Sequence, residues 1–318
     1  MAPPSIDTYN AWMEKKRAEA TKQADSVVLD RLRPLVEWLP DGQSSLLWVG
    51  NREKASRYVL FFPGGGYICP LTSGHLEWCF RAYVDAESGQ EVAVALLQYT
   101  LCPAARYPTQ LEQAKAALSH LIKLGIPASK IVIGGDSAGG NLTAQLLIRL
   151  AHQTGSDALS EPLAGAFVVS PWLSGLTTTR SFTENNHIDM LSTRHINTSF
   201  GELLGPDMGQ GNSGSDFGEW AMPLDADRKW LDNWSKSTKA LYVTVGANEV
   251  LRDQGILFTE IVRQRNDKVK VHLEIFEKDA HDFVLLEGLG AYIAGGRMKD
   301  DESCQLARHR SQISSYFD

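Results

Sequence analysis

Two hydrophobic spacings alternate along most of this chain, one the pitch of a helix and the other the pleat of a strand. The first forty residues are polar and charged, with Trp12, Val27, Val28, Leu29, Leu32, Leu35, Val36 and Trp38 set among them, and predict one or two amphipathic helices. From Leu46 the pattern changes. Residues 44–49 and 57–62 read as strands, and 91–99 is a nearly unbroken apolar run that suits a strand buried on both faces. Residues 109–124 return to helical spacing through Leu111, Ala114, Leu118, Leu121 and Ile122, and Gly125 and Pro127 close the helix. The alternation continues with strands at 130–134, 164–169, 241–245 and 269–276, helices at 142–150 and 252–265, and a last helix from about 301 to 316. Such alternation predicts an α/β fold, a mostly parallel central sheet with helices on both faces.

One region breaks the rhythm. Residues 175–221 are rich in Thr, Ser, Asn and Gly, with short apolar clusters only at 188–191 and 200–204. A stretch of that length between core strands is usually functional. It predicts a cap over the sheet edge, joined by the N-terminal helices of about 1–40. No internal repeat or low-complexity tract divides the chain, so residues 1–318 are expected to form one domain carrying this helical cap.

Composition narrows the classes. With 318 residues, 43% hydrophobic and 22% charged, the chain can bury a sizeable core. The net charge of −7 argues against nucleic acid or an anionic membrane as partner. Cys69, Cys79, Cys102 and Cys304 show neither paired nor metal-like spacing, so reduced thiols are expected, and no metal or cofactor. The first residues lack a basic region followed by an apolar core, and no apolar run has the length of a membrane span. A cytoplasmic protein is the expectation. Oligomeric state is not encoded legibly, and a homodimer is compatible with the sequence.

The chemistry is most legible around the strand at 130–134. Its β-branched run enters Gly134-Gly135-Asp136-Ser137-Ala138-Gly139-Gly140, and a helical run leaves it. Gly135-x-Ser137-x-Gly139 matches the nucleophile elbow, a strained turn that lifts a serine hydroxyl above the sheet. The helix that follows directs its free N–H groups and positive dipole end at that serine, favouring negative charge on a carbonyl oxygen under attack. Alone, the motif also suits a plain βα turn or a phosphate loop.

Partners decide between these. Pro63-Gly64-Gly65-Gly66-Tyr67 follows a strand, and its consecutive glycines let backbone N–H groups converge on one point, as an oxyanion requires. Glu249 and Asp253 follow the strand at 241–245, and Asp279, His281 and Asp282 follow the strand at 269–276. The order serine, acid, histidine is that of an α/β-hydrolase triad. Of the four carboxylates, Glu249 lies on the loop expected to face His281, Asp253 suits the start of a helix, and Asp279 and Asp282 sit too near His281 in sequence to fold back onto its Nδ1. Asp282 is given the smallest role.

Together with Tyr99 to Pro108, these segments resemble the hormone-sensitive-lipase-like esterases of the α/β-hydrolase superfamily. That family carries H-G-G-G, Y-x-L-A-P-E-x-x-F-P, G-D-S-A-G-G, D-P-L-x-D and H-x-F in this order. Here they correspond to Pro63–Gly66, Tyr99–Pro108, Gly135–Gly140, Glu249–Asp253 and His281-Asp282-Phe283. Ser170-Pro171-Trp172 and Met222-Pro223-Leu224 resemble the segments flanking the family's cap. The resemblance implies Ser137 as nucleophile, Glu249 as acid, His281 as base, and the N–H groups of Gly65, Gly66 and Ala138 as oxyanion donors. Tyr67, Asp136 and Trp172 are expected to contact substrate. Pro63 departs from the family's histidine, Cys102 and Ala104 alter the second block, and Glu249 stands for the commoner Asp. Similar variants occur among fungal esterases acting on specialised metabolites.

Three activities remain compatible with this reading. Hydrolysis of a small to medium ester is favoured. Acyl transfer, lactone formation or β-elimination could use the same triad. A silent binding protein would resemble the plant gibberellin receptors, which lack the catalytic histidine that this chain retains as His281.

Overall fold

A computed structural model describes residues 4–85, 91–155, 158–205, 220–294 and 305–316. Its centre is an eight-stranded sheet: β1 (Val36–Trp38), β2 (Ser45–Val49), β3 (Arg57–Phe62), β4 (Val92–Gln98), β5 (Ile131–Asp136), β6 (Gly165–Val169), β7 (Ala240–Gly246) and β8 (Lys270–Phe276). The spatial order is β1-β2-β4-β3-β5-β6-β7-β8. The pairs β1/β2 and β2/β4 are antiparallel, and every later pair is parallel. Ten α-helices are described: α1 (Ser5–Lys22), α2 (Ser26–Arg31), α3 (Ser73–Cys79), α4 (Thr109–Lys123), α5 (Ser137–His152), α6 (Arg180–Asn185), α7 (Thr193–Leu204), α8 (Arg252–Arg265), α9 (Phe283–Ala294) and α10 (Gln305–Ser314). Among the described residues no helix is long and apolar enough to cross a membrane.

The pleat sorts the core into two layers. Trp48, Leu60, Phe62, Ile131 and Ile133 pack one face with Leu111 and Leu118 of α4, Leu142 and Leu146 of α5 and Phe258 of α8. Val49, Val59, Phe61 and Val132 pack the other with Tyr9 and Trp12 of α1, Trp78 of α3 and Leu306 and Ile313 of α10. Alternation within β3, Leu60 and Phe62 one way and Val59 and Phe61 the other, is the strand period at work. Each such large side chain, removed from water, stabilises by about 1.5–3 kcal/mol.

The expected strands are all present, but three elements were not foreseen. β1 forms where the N-terminal segment was expected to be helical, and Val36 pairs with Leu47. α3 is only seven residues long, too short for a period to emerge. In α9, the run FVLLEGLGAYIA is apolar almost all round, so it shows no polar face to count. The last helix is seen from Gln305, with 301–304 outside the described residues. Cys69, Cys79 and Cys102 are free thiols, and Cys304 also lies outside the described residues.

The N-terminal helix differs in place from the cap expected of it. Its body lies on a sheet face: the Tyr9 hydroxyl donates to the Trp48 carbonyl at 2.7 Å, and Trp12 Nε1 donates to Glu77 Oε2 at 2.9 Å. Its start, Pro4 and Ser5, lines a cavity of about 760 Å³ together with Ile68, Cys69, Tyr99 and Leu101.

Candidate active site

Every parallel strand that bears on the chemistry ends at one edge of the sheet, where α/β proteins keep their sites. Ser137 stands where β5 passes into α5, with φ at +49°, a conformation costly for any residue but glycine. The neighbouring glycines make this turn feasible. A Cβ on Gly135 or Gly139 would lie 2.0 or 1.8 Å from the Phe62 carbonyl oxygen at the end of β3. The G-x-S-x-G pattern is thus a packing requirement of β5 and the first turn of α5 against the end of β3. Ser137 is buried, as are Glu249 and His281.

Three loops converge there. His281 Nε2 lies 3.0 Å from Ser137 Oγ. On the far side of the ring, Glu249 Oε2 lies 3.6 Å from Nδ1, within ion-pair reach but long for a hydrogen bond. Catalytic hydrogen bonds often tighten only when substrate binds. Asp282 also reaches the ring. It does not meet Nδ1, as expected, but its Oδ2 lies 3.0 Å from Nε2, the nitrogen facing the serine. Asp253, expected to serve its own helix, instead accepts from Ser181 N at 2.7 Å and so ties α8 to α6. Asp279 accepts from Gln305 Nε2 at 2.6 Å, away from the imidazole.

The loop after β3 is held from two sides. The Tyr99 hydroxyl donates to the Pro63 carbonyl at 2.6 Å, and Gly64 N donates to Asp136 Oδ1 at 3.1 Å. Asp136 Oδ2 meets His75 Nε2 at 3.2 Å. Because His75 Nδ1 accepts from Thr72 N at 3.0 Å, the proton is assigned to Nε2, which donates to Asp136. Asp136 is therefore fully buried with both oxygens engaged in placing the glycine loop. Gly65 and Gly66 have φ of +115° and +60°, and among the described residues neither N–H donates to a protein acceptor. Tyr99 and Asp136 thus anchor the loop that carries Pro63. Tyr67 and Trp172 are buried side by side, ring centroids 6.3 Å apart, and Tyr67 donates to Asn141 Oδ1 at 2.7 Å.

The segment expected to be a cap touches all three loops. In α6, Asn185 Nδ2 donates to the Glu249 carbonyl at 2.8 Å, and Ser181 Oγ to the Val250 carbonyl at 2.6 Å. Asp189 accepts from Val250 N at 2.8 Å and from His281 N at 3.1 Å, one carboxylate bridging the acid and histidine loops. In α7, Ser199 Oγ lies against Gly66, 2.5 Å from where a Cβ would be. Residues 206–219 of the expected cap lie outside the described residues. Neither Asp189 nor His75 carried a sequence signal, since each acts across 61 or more residues of chain.

Burial dominates the electrostatics. It pushes the Glu249 carboxyl above its usual range, partly offset by His281 and by the Ser170 hydroxyl. Burial alone would lower His281, but the carboxylates of Asp282 and Glu249 outweigh it and hold the imidazole well above the ordinary histidine value. Asp282 is raised to about 7, by burial first and against the pull of His281.

A glycine-flanked serine at a strand-to-helix turn, with acid and then histidine following it along the chain, defines an α/β-hydrolase class of site. A family profile described as "alpha/beta hydrolase fold" matches residues 59–285. The chain belongs to that family, within its hormone-sensitive-lipase-like group. An acetyl-hydrolase of Streptomyces hygroscopicus is 32% identical over 133 residues, 41% of either chain. An esterase of Acinetobacter venetianus is 27% identical over 224 residues, covering 70% of this chain and 66% of its own. Matches to these relatives thus span less than two thirds of their length. A bacterial heroin esterase shares the fold, with a TM-score of 0.69 at 24% identity over 100% of this chain and 95% of its own.

Proposed function

We propose that this protein hydrolyses a small to medium carboxylic ester through a Ser137–His281–Glu249 triad and an acyl-enzyme. The observation that carries the reading is the 3.0 Å approach of His281 Nε2 to Ser137 Oγ. As Ser137 Oγ attacks the ester carbonyl carbon, its proton passes to Nε2 and the carbonyl electrons move onto oxygen. The N–H groups of Gly65, Gly66 and Ala138 receive that oxyanion. Imidazolium then protonates the departing alkoxide, leaving an acyl-serine. Water attacks next, giving its proton to Nε2, and the carboxylic acid leaves as Ser137 Oγ regains a proton. Glu249 faces Nδ1 throughout, keeping the ring in the tautomer whose Nε2 lone pair meets the serine.

Residues 175–221 form the cap in this reading, and the bonds of Asn185 and Asp189 to the acid and histidine loops and the approach of Ser199 to Gly66 support it. Tyr67 and Trp172 wall the site, while Asp136 places the oxyanion loop. The acetyl-hydrolase and esterase names of the relatives favour a short acyl group. The resemblance to fungal enzymes extends this to an acyl ester of a specialised metabolite.

A p-nitrophenyl ester series from acetyl to decanoyl tests the reading. Turnover should peak at acetyl or butyryl, and Ser137→Ala should lower kcat at least about a thousandfold. Undiminished turnover in that variant would refute the triad.

A further inference from the structure

His281 Nε2 has two neighbours at the same distance, Ser137 Oγ at 3.0 Å and Asp282 Oδ2 at 3.0 Å. Only one belongs to the triad. In the working tautomer Nδ1 carries the proton toward Glu249, and Nε2 offers a lone pair to the serine hydroxyl. A carboxylate at hydrogen-bond distance from that lone pair would place acceptor against acceptor. The Nε2 hydrogen bond goes to Ser137, and Asp282 stands beside it as an ion-pair partner. Two proton states relieve that repulsion: imidazolium beside the Asp282 carboxylate, or a protonated Asp282 beside the neutral ring. Either holds one proton more than the triad that attacks substrate.

Asp282 is not a surface residue drifting near the ring. It is buried, its φ is +51°, and its N–H donates to Ser170 Oγ at 3.1 Å, which pins the backbone. Its Oδ1 is buried without a hydrogen-bond partner. Among the described residues its ion pair is with His281 alone. Among the described residues, the other charged groups against this pair are carboxylates: Glu249 at Nδ1, Asp189 at the His281 N–H, and Asp136, which repels charge on Asp282. This surround favours keeping the extra proton.

Resting on the triad reading, we propose that Asp282 shares a proton with His281 Nε2 in the resting enzyme and sets the pH at which the base becomes available. As pH rises that proton leaves to water, the Nε2 lone pair is freed, and Ser137 can be deprotonated. Burial and the neighbouring carboxylates, which raise Asp282 to about 7, agree with a proton held there near neutrality.

The pH profile of kcat/KM on a p-nitrophenyl ester tests this. In the wild-type enzyme the acid-limb inflection should lie above the ordinary histidine value of about 6.5. Asp282→Asn keeps size and tolerates positive φ, and should move the inflection down by about one unit or more, with KM little changed. Asp282→Gly, also suited to that φ, should shift it likewise. A wild-type inflection at or below about 6.5, or inflections that coincide in wild type and variants, would overturn the proposal. Labelling of Ser137 by an organophosphonate separates the two claims. If wild type is labelled but the profile does not move, Asp282 alone loses its role. If wild type is not labelled at Ser137, the triad itself fails.

Discussion

Glu249 and Asp282 approach one imidazole from opposite sides, and their substitutions should therefore differ in kind. Glu249 faces Nδ1, so Glu249→Gln removes the charge that orients the ring and stabilises imidazolium. It should lower kcat by roughly three to four orders of magnitude, with a smaller change in KM. Steady-state kinetics on a p-nitrophenyl ester would check it, and a variant within tenfold of wild type would show that the 3.6 Å contact does not orient the base. Residue order and strand ends pointed to Ser137, Glu249 and His281 in the sequence. The role of Asp282 was not legible, because it depends on which way a side chain at φ +51° turns. Asp189 and His75 were invisible for a related reason: their partners are far along the chain and meet only after folding.

Among the elements, the central strands and α4, α5 and α8 could be read because each has a clear period or an unbroken apolar run bounded by turn residues. α9 and α3 could not, one being apolar nearly all round and the other too short. The N-terminal helix was read correctly as amphipathic, yet its apolar face is spent on the sheet. Tyr9, Trp12 and Met13 are each at most 1% exposed. Deleting the residues before Val27 removes all three from the core, costing about 4–9 kcal/mol on an area basis. Native domains have only about 5–15 kcal/mol to lose. The truncated chain should therefore lack a cooperative thermal transition by circular dichroism. A folded truncation with altered acyl preference would return this helix to the cap.

At the scale of the molecule, the parallel sheet converts chain order into geometry. β3, β5, β7 and β8 deliver the glycine loop, Ser137, Glu249 and His281 to one edge, and α6 and α7, between β6 and β7, pack against those loops. That placement follows from strand order, which is why a sequence with the right motifs in the right order predicts a site that no local stretch contains. Substrate choice is less legible, because residues 175–221, proposed as the cap, carry no hydrophobic period. All of it presupposes that Ser137 is an activated nucleophile. Intact-mass analysis after treatment with a fluorophosphonate measures this most directly. One adduct should form, peptide mapping should place it on Ser137, and both Ser137→Ala and His281→Ala should abolish rapid labelling. An adduct on a different serine, or labelling of equal rate in the His281→Ala variant, would contradict the account.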